Sequence, residues 1–367
     1  MRIVHISDIH LSEENFGEFK KHYRKALLRV LQEEHEIKKI DIIAITGDLV
    51  DKGGQSLFKI PQFNTETDPF KIFQEQFIDP IKNRLDLANS NFVFIAGNHD
   101  VDESKILWVD EKNFQDLEVK GGLNSILDEI KTETKNYNER IEKFKNFEEE
   151  FHRDNADYLF SRNESTFVYR HDSGAKVGFA LINDSWRCST CLLEKHKDKG
   201  LYFGSDQLTN SLEILEKFET DMNILLTHHP LSIYAPCEQD EIKRVFRQNV
   251  FHLHLFGDQH EFKIEHFIDP NGECFGIQAR AGLNNPREPI DNWQSGFHII
   301  DIDLHNAEIS CMTFYKYIYK NCAFSYDGSA KSPNGIDTKR KPLNFPKVAL
   351  PIGTKMKNLD KNKYNRK

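Results

Sequence analysis

The sequence predicts an α/β fold around a largely parallel sheet, and three observations predict it. Short apolar runs recur through the chain, segments with helical spacing separate the early ones, and the runs stop at clusters of Asp, His, Asn and Gly. Strand, helix and strand in alternation form parallel sheets that are covered on both faces. In such sheets ligands bind outside the carboxyl ends of the strands, and those ends are where the polar clusters fall.

Each element follows from its pattern. Ile3-Val4-His5-Ile6 is a buried strand that delivers Asp8 and His10 to its end. Residues 19–36 carry Tyr23, Leu27, Val30 and Leu31 at helical spacing among Lys, Arg and Glu, an amphipathic helix. Residues 40–46 form the next strand, stopping at Gly47-Asp48, and residues 53–69 read as a loop with Gly, Asn, Thr and Pro breakers. A helix over 79–89 precedes a third strand over 91–96, which stops at Gly97-Asn98-His99-Asp100. Residues 101–164 change character: they are rich in Glu, Lys and Asn, with Ile126, Ile130, Tyr137, Ile141, Phe144 and Phe147 at helical spacing. This segment is expected to be an inserted helical pair or lid. Strands follow over 165–170 and 177–182, a helix over 206–218, then strands over 223–227 and 252–256 that end at His228-His229-Pro230 and Gly257-Asp258-Gln259-His260. Segments 275–281, 296–303 and 307–315 have strand patterns, and the second half is expected to form a second sheet rich in hairpins.

Composition narrows the class. The chain has 367 residues, 38% hydrophobic and 29% charged, as in a globular protein, and a formal net charge of −9 argues against indiscriminate nucleic-acid binding. No apolar run approaches the length of a membrane span, and the first residues read as a strand and not a leader, so a cytoplasmic protein is expected. The six cysteines include a Cys188-Ser-Thr-Cys191 pair without a second pair at zinc-ribbon spacing, so these thiols are expected to be structural and disulfides are not expected. The expected organisation is one catalytic domain over 1–325 containing the insertion at 101–164. A basic extension over 326–367 follows, with Lys339, Arg340, Lys341, Lys355, Lys357, Lys361, Lys363, Arg366 and Lys367.

Five clusters carry chemistry: Asp8-x-His10, Gly47-Asp48, Gly97-Asn98-His99-Asp100, His228-His229-Pro230 and Gly257-Asp258-Gln259-His260. Each alone is ordinary turn or cap chemistry. Together, in this order at strand ends, they supply hard and borderline oxygen and nitrogen donors suited to Mn, Fe, Zn or Mg. His252 and His254 alternate with apolar residues along a strand and read as packed side chains.

The order Asp-x-His, Gly-Asp, Gly-Asn-His-Asp, His and Gly-x-x-His resembles the calcineurin-like metallophosphoesterase superfamily over residues 1–303. The resemblance implies two stacked mixed β-sheets flanked by helices, here interrupted by the helical insertion, and a centre of two divalent ions; the oxygen-rich donor set makes Mn²⁺ the expected metal, with Fe, Mg or Zn as alternatives. The resemblance also implies hydrolysis of a phosphoester by a hydroxide generated on the metals. Position by position, it places Asp8, His10 and His260 on the first metal, Asp48 between the two, and Asn98 and His228 on the second. His229 competes with His228, which stands at the family's spacing before the proline. His99 is implied as the group over the leaving oxygen, with Asp100 setting its ring orientation. Asp258 stands where the family usually has His. It would act as a ligand that favours harder cations, mark a site filled only with substrate, or leave a degenerate centre.

Two features separate the sequence from phosphoprotein phosphatases, which it otherwise resembles in Gly47-Asp48-Leu49-Val50-Asp51-Lys52-Gly53. Lys52 replaces their Arg, and Asp100 replaces their Glu. The Asp-Ile-His-Leu start and the His-His-Pro turn resemble cyclic-nucleotide phosphodiesterases, and the exonuclease branch of DNA repair is also similar. The expected activity is that of a phosphodiesterase on a nucleotide or nucleic-acid substrate, with a phosphomonoesterase or protein phosphatase, or a non-catalytic phosphate-binding scaffold, as alternatives.

Overall fold

The computed structural model describes residues 1–118, 123–132, 139–188, 201–283, 285, 293–330 and 332–348. Two mixed sheets carry the architecture. The first is built on β1 (Arg2–Ile6), β2 (Ile42–Thr46) and β3 (Phe92–Ile95), which run parallel, with Ile3 opposite Ile42 and Ile43 opposite Phe92. The second takes the order β4-β5-β6-β7-β8-β10-β9, from β4 (Tyr158–Leu159), β5 (Ser165–Arg170), β6 (Lys176–Leu181), β7 (Met222–Leu226), β8 (Leu253–Phe256), β9 (Lys263–Asp269) and β10 (Gly272–Gln278). Strands β6, β7, β8 and β10 run parallel at its centre.

Both faces of β1, β2 and β3 are buried, which is why these runs are apolar without interruption. Side chains alternate between the faces. Ile3, Ile42, Ala44, Val93 and Ile95 face the second sheet, in one core with Phe179, Leu181, Ile224, Leu226 and Leu255. Val4, Ile6, Ile43, Ile45, Phe92 and Phe94 share the other core with the helices.

The hairpin-rich segments depart from expectation. Residues 296–303 and 307–315 belong to β11 (Gly296–Asp303) and β12 (Glu308–Ile318), and these join the first sheet, not the second. β11 pairs antiparallel with β1, Val4 lying opposite Ile299, and β12 continues to β13 (Ala323–Tyr326). Alternation along a strand identifies its faces but not its neighbour, so local pattern could not make this assignment. The start of the expected basic extension is likewise fixed to the sheet: β14 (Ile336–Asp337) and β15 (Lys341–Pro342) both pair with β12. Residues 349–367, with the remaining basic positions, lie outside the described residues, as do Tyr137 and Cys191.

The helix expected over 19–36 begins earlier. Glu13–Glu18, a π-helical turn Phe19–Tyr23 and Arg24–Ile37 follow one another without a break. The segment read as a loop over 53–69 contains the 3₁₀ segments Lys52–Lys59 and Pro61–Phe63. Within 101–164, three helices appear where a pair was expected: Trp108–Glu118, Leu123–Lys131 and Glu142–His152. The third is a wall of the sandwich. The Phe147 ring stacks 4.9 Å from Phe94 and 5.8 Å from Phe70, and Ile126, Ile130, Phe144 and Phe151 are buried in the same core. Among the described residues no helix is long and apolar enough to cross a membrane.

Among the described residues, five histidines of this framework are buried and held neutral, mainly by loss of solvent: His152, His254 and His298 are pushed down to about 3, His252 to about 4, and His5 well below its ordinary value. His152 stacks on Tyr158 with centroids 3.8 Å apart, and neither ring nitrogen has a hydrogen-bond partner. Between these values and the ordinary 6.5, the unfolded chain binds protons that the folded chain cannot. Stability therefore falls as pH drops below about 6.5, by about 1.4 kcal/mol per pH unit for each lagging histidine. Urea unfolding at pH 7 and pH 5 should show this loss, and His152→Phe should make it shallower by about one proton. Equal pH dependence in both proteins would contradict the assignment.

Candidate metal centre

The loops after β1 and β2 continue the parallel pairing of their strands. Asp8 N–H donates to the Gly47 carbonyl at 3.1 Å, and the N–H groups of Ile9 and His10 donate to the Asp48 carbonyl at 2.8 Å. This continuation sets Asp8 and His10 beside Asp48. Two glycines permit the close approach of the other strands. A Cβ on Gly97 would collide with the Asp48 carboxylate and backbone, and one on Gly257 would collide with the Ser7 hydroxyl and reach 2.7 Å from Asp8 Oδ2. Five of the expected ligands themselves sit in the left-handed region: Asp8 (φ 52°), His10 (46°), Asp48 (55°), Asp258 (72°) and His260 (58°). Non-glycine residues there are strained, and such strain collects at functional sites.

The structure brings all seven expected metal-binding residues together. Asp8, His10 and His260 offer ligand atoms within 4.8 Å of one another, and so do Asp8, Asp48 and His228. His10 Nε2 lies 3.3 Å from His260 Nε2, which is 3.4 Å from Asp8 Oδ1. Asp48 lies between the two groups: its Oδ2 is 3.5 Å from His10 Nε2 and 3.4 Å from His228 Nε2, while its Oδ1 accepts the His99 N–H at 2.8 Å. Asn98 Oδ1 is 2.9 Å from His228 Nε2, and Asp258 Oδ1 is 4.0 Å from it.

The chemistry of this donor set fits cations. His228 Nδ1 lies 2.7 Å from the Thr46 carbonyl, which can only accept, so Nδ1 carries a proton and donates it there. In the neutral ring Nε2 then presents a lone pair toward three oxygens, an arrangement that needs a positive charge at its centre. Burial alone would lower the affinity of His228 for a proton, but the Asp48 carboxylate beside it raises its pKa to about 10. A cation would answer the same field. Asp8 Oδ1 is buried and faces His260 Nε2 at 3.4 Å and His10 Nε2 at 3.9 Å. Against the desolvation that would raise it, His228 and His10 hold the Asp48 carboxyl well below its ordinary range.

Asp100 does not set the orientation of His99. Its carboxylate accepts the backbone N–H groups of Gly97 (2.8 Å), Val50 (3.0 Å) and Leu49 (3.2 Å), tying the loops after β2 and β3 together. The partner of His99 is Asp51, whose Oδ1 lies 2.7 Å from His99 Nδ1. Burial lowers the affinity of His99 for a proton, but Asp51, with Asp48 behind it, raises the pKa to about 8. Asp51 was legible in principle, three residues beyond Asp48 in the same Gly-Asp turn. A second missed residue is Asp184. It follows β6 as the other site residues follow their strands, and it accepts the backbone N–H of His228 (3.0 Å) and of His229 (2.9 Å). Asp184 also holds His229 Nδ1 at 2.9 Å and the Tyr234 hydroxyl at 2.6 Å. His229 lies within 4.8 Å of Asp258 and His228, but its Nδ1 is engaged by Asp184 and its Nε2 faces Cys188 Sγ at 3.8 Å. His254 Nε2 is paired with the Thr227 hydroxyl at 2.8 Å.

The model of the calcineurin-like phosphoesterase family matches residues 1–262, and the chain belongs to that family. Its members are metal-dependent phosphoric ester hydrolases, and membership implies a dinuclear divalent centre, for which the clusters above are the candidate ligands. No curated protein matches the sequence. Among solved structures, a dimetal phosphatase from Danio rerio is 12% identical over 87% of this chain and 96% of its own, with a TM-score of 0.45. GAP50 of Plasmodium, described as the anchor in the inner membrane complex, is 12% identical over 95% and 89%, with a TM-score of 0.46. Zinc-complexed Vps29 from Entamoeba histolytica is 11% identical over 93% and 98%, with a TM-score of 0.33.

The contrast between the two aspartates is measurable as stability. Asp100→Ala leaves three N–H groups without their acceptor, at about 1–3 kcal/mol for each one that stays buried, whereas Asp51→Ala removes a partly exposed pair worth about 1 kcal/mol or less. Chemical denaturation should therefore show a large loss for Asp100→Ala and a small one for Asp51→Ala. The reverse order would contradict this hydrogen bonding.

Proposed function

We propose that the chain is a dimetal phosphodiesterase acting on a nucleotide or nucleic-acid phosphodiester. The observation that carries the dinuclear reading is the position of Asp48 Oδ2, 3.5 Å from His10 Nε2 and 3.4 Å from His228 Nε2, between two separate donor groups. In this reading Asp8, His10 and His260 would hold one cation, Asn98, His228 and Asp258 would hold the other, and Asp48 would be shared. Two divalent ions held there would supply Lewis acidity to the phosphoester and to an attacking water. The carboxylate of Asp258 adds a hard oxygen donor, which favours Mn²⁺ or Mg²⁺ over Zn²⁺.

The remaining work falls to the chain's own side chains. His99 is partly open to solvent, its ring 4.5 Å from that of His10 and fixed by Asp51. From there it donates a proton to the leaving oxygen. Asp51 and Asp184 act as positioning residues, the first on the His99 ring and the second on the backbone that carries His228. The preference for a diester rests on the departures from phosphoprotein phosphatases at Lys52 and Asp100, together with the Asp-Ile-His-Leu and His-His-Pro motifs.

The test is hydrolysis of bis-p-nitrophenyl phosphate beside p-nitrophenyl phosphate, with Mn²⁺ added. The diester should be cleaved faster. His99→Ala should lower turnover by about 10²–10⁴-fold while the protein still binds two metals, and Asp48→Asn should lose both activity and metal. A preference for the monoester would overturn the diesterase assignment. Full activity in Asp48→Asn would overturn the shared carboxylate.

A further inference from the structure

Outside the strand ends, three metal-ligating side chains of different chemistry converge on one edge of the first sheet. Glu18 closes the helix Glu13–Glu18, and His22 follows four residues later in the π-helical turn Phe19–Tyr23. Cys322 caps the short turn Tyr319–Asn321 that joins β12 to β13, in the left-handed conformation with φ 46°. A carboxylate oxygen, an imidazole nitrogen and the thiol sulfur all lie within 4.8 Å of one another.

Core packing holds these elements against each other. Tyr23, next to His22, packs its ring 5.1 Å from Tyr317 and 5.3 Å from Phe324, one on each strand of the hairpin that Cys322 turns. The cluster is therefore a consequence of buried aromatic contacts and not of three independent surface rotamers. The Tyr317 hydroxyl supplies a second observation. It is buried. Its pKa is raised first by burial and then by the neighbouring Cys322 and Glu18, so a buried hydroxyl lies against the same side chains.

We propose that Glu18, His22 and Cys322 form a separate binding site for a thiophilic divalent cation of the Zn²⁺ class. The strand-end centre offers oxygen and nitrogen donors. This cluster adds a sulfur, which selects softer cations over Mn²⁺ or Mg²⁺. Zn–S and Zn–N distances near 2.3 and 2.0 Å set tetrahedral edges of about 3.5 Å, so rotation of the exposed His22 and Cys322 side chains closes the set. The three protein ligands leave a fourth position for water. Binding displaces the Cys322 thiol proton to solvent and leaves a thiolate on the cation. The bound ion would clamp the helix to the β12–β13 hairpin. The same helix begins beside a strand-end residue: Asn15 Nδ2 donates to the His10 carbonyl at 2.8 Å.

Co²⁺ added to the metal-free full-length chain separates this site from the strand-end centre, because only a thiolate ligand gives a sulfur-to-cobalt charge-transfer band in the near ultraviolet. Saturating Co²⁺ should produce that band, and Cys322→Ser and His22→Ala should each abolish it. Cys188→Ser should leave it unchanged. Zn²⁺ content measured after equilibrium dialysis should fall by one equivalent per chain in Cys322→Ser. Absence of the band at saturating Co²⁺, or its survival in Cys322→Ser, would overturn the proposal.

Discussion

Asp48 Oδ2 sits between His10 Nε2 and His228 Nε2 at nearly equal distances, and much of the architecture exists to hold it there. His10 arrives from β1, Asp48 from β2 and His228 from β7 in the other sheet, so the two sheets must meet at their carboxyl ends for the contact to form. Gly97 keeps β3 close enough for the His99 N–H to take the second oxygen of the same carboxylate. Asp100 then ties the loops after β2 and β3 by their backbone. The sandwich core is the means by which separate strand ends are registered to within hydrogen-bond distances.

That arrangement is costly for the polypeptide by itself. Asp8 and Asp48 are buried close together, the Asp258 N–H lies 3.2 Å from Asp8 Oδ2, and five of the candidate ligands take left-handed backbone conformations. Each strained position costs about 1 kcal/mol or more, and a buried carboxylate without a counter-charge costs more still. Cations that bind only the folded chain offset these terms by mass action, about 2.7 kcal/mol at a hundredfold excess over the dissociation constant. The packing of the Phe94, Phe147 and Phe70 rings and the unbroken apolar strands supply the stability that lets such a site persist before metal arrives.

The strands that end in chemistry were legible because they are buried on both faces, and an apolar run that stops at Asp, His or Asn is a strong local signal. Pairing was not legible. Nothing in the pattern of 296–315 states that β11 lies beside β1, because the partner is about three hundred residues away. Positioning residues were hidden for a related reason. The family resemblance implies that Asp100 orients His99, but a short turn directs its carboxylate to backbone N–H groups, and Asp51 from the preceding loop reaches the ring instead. Asp184 follows a strand like the other site residues, yet it acts through backbone N–H groups and its motif carries no histidine to mark it.

In the proposed centre one carboxylate joins two cation sites at the strand ends. Anomalous scattering from crystals of the Mn²⁺-loaded protein would locate both. Two peaks are expected about 3.5–4 Å apart, both in contact with Asp48 Oδ2, one beside Asp8, His10 and His260 and the other beside Asn98, His228 and Asp258. A single peak, or two peaks of which only one touches Asp48, would contradict that arrangement.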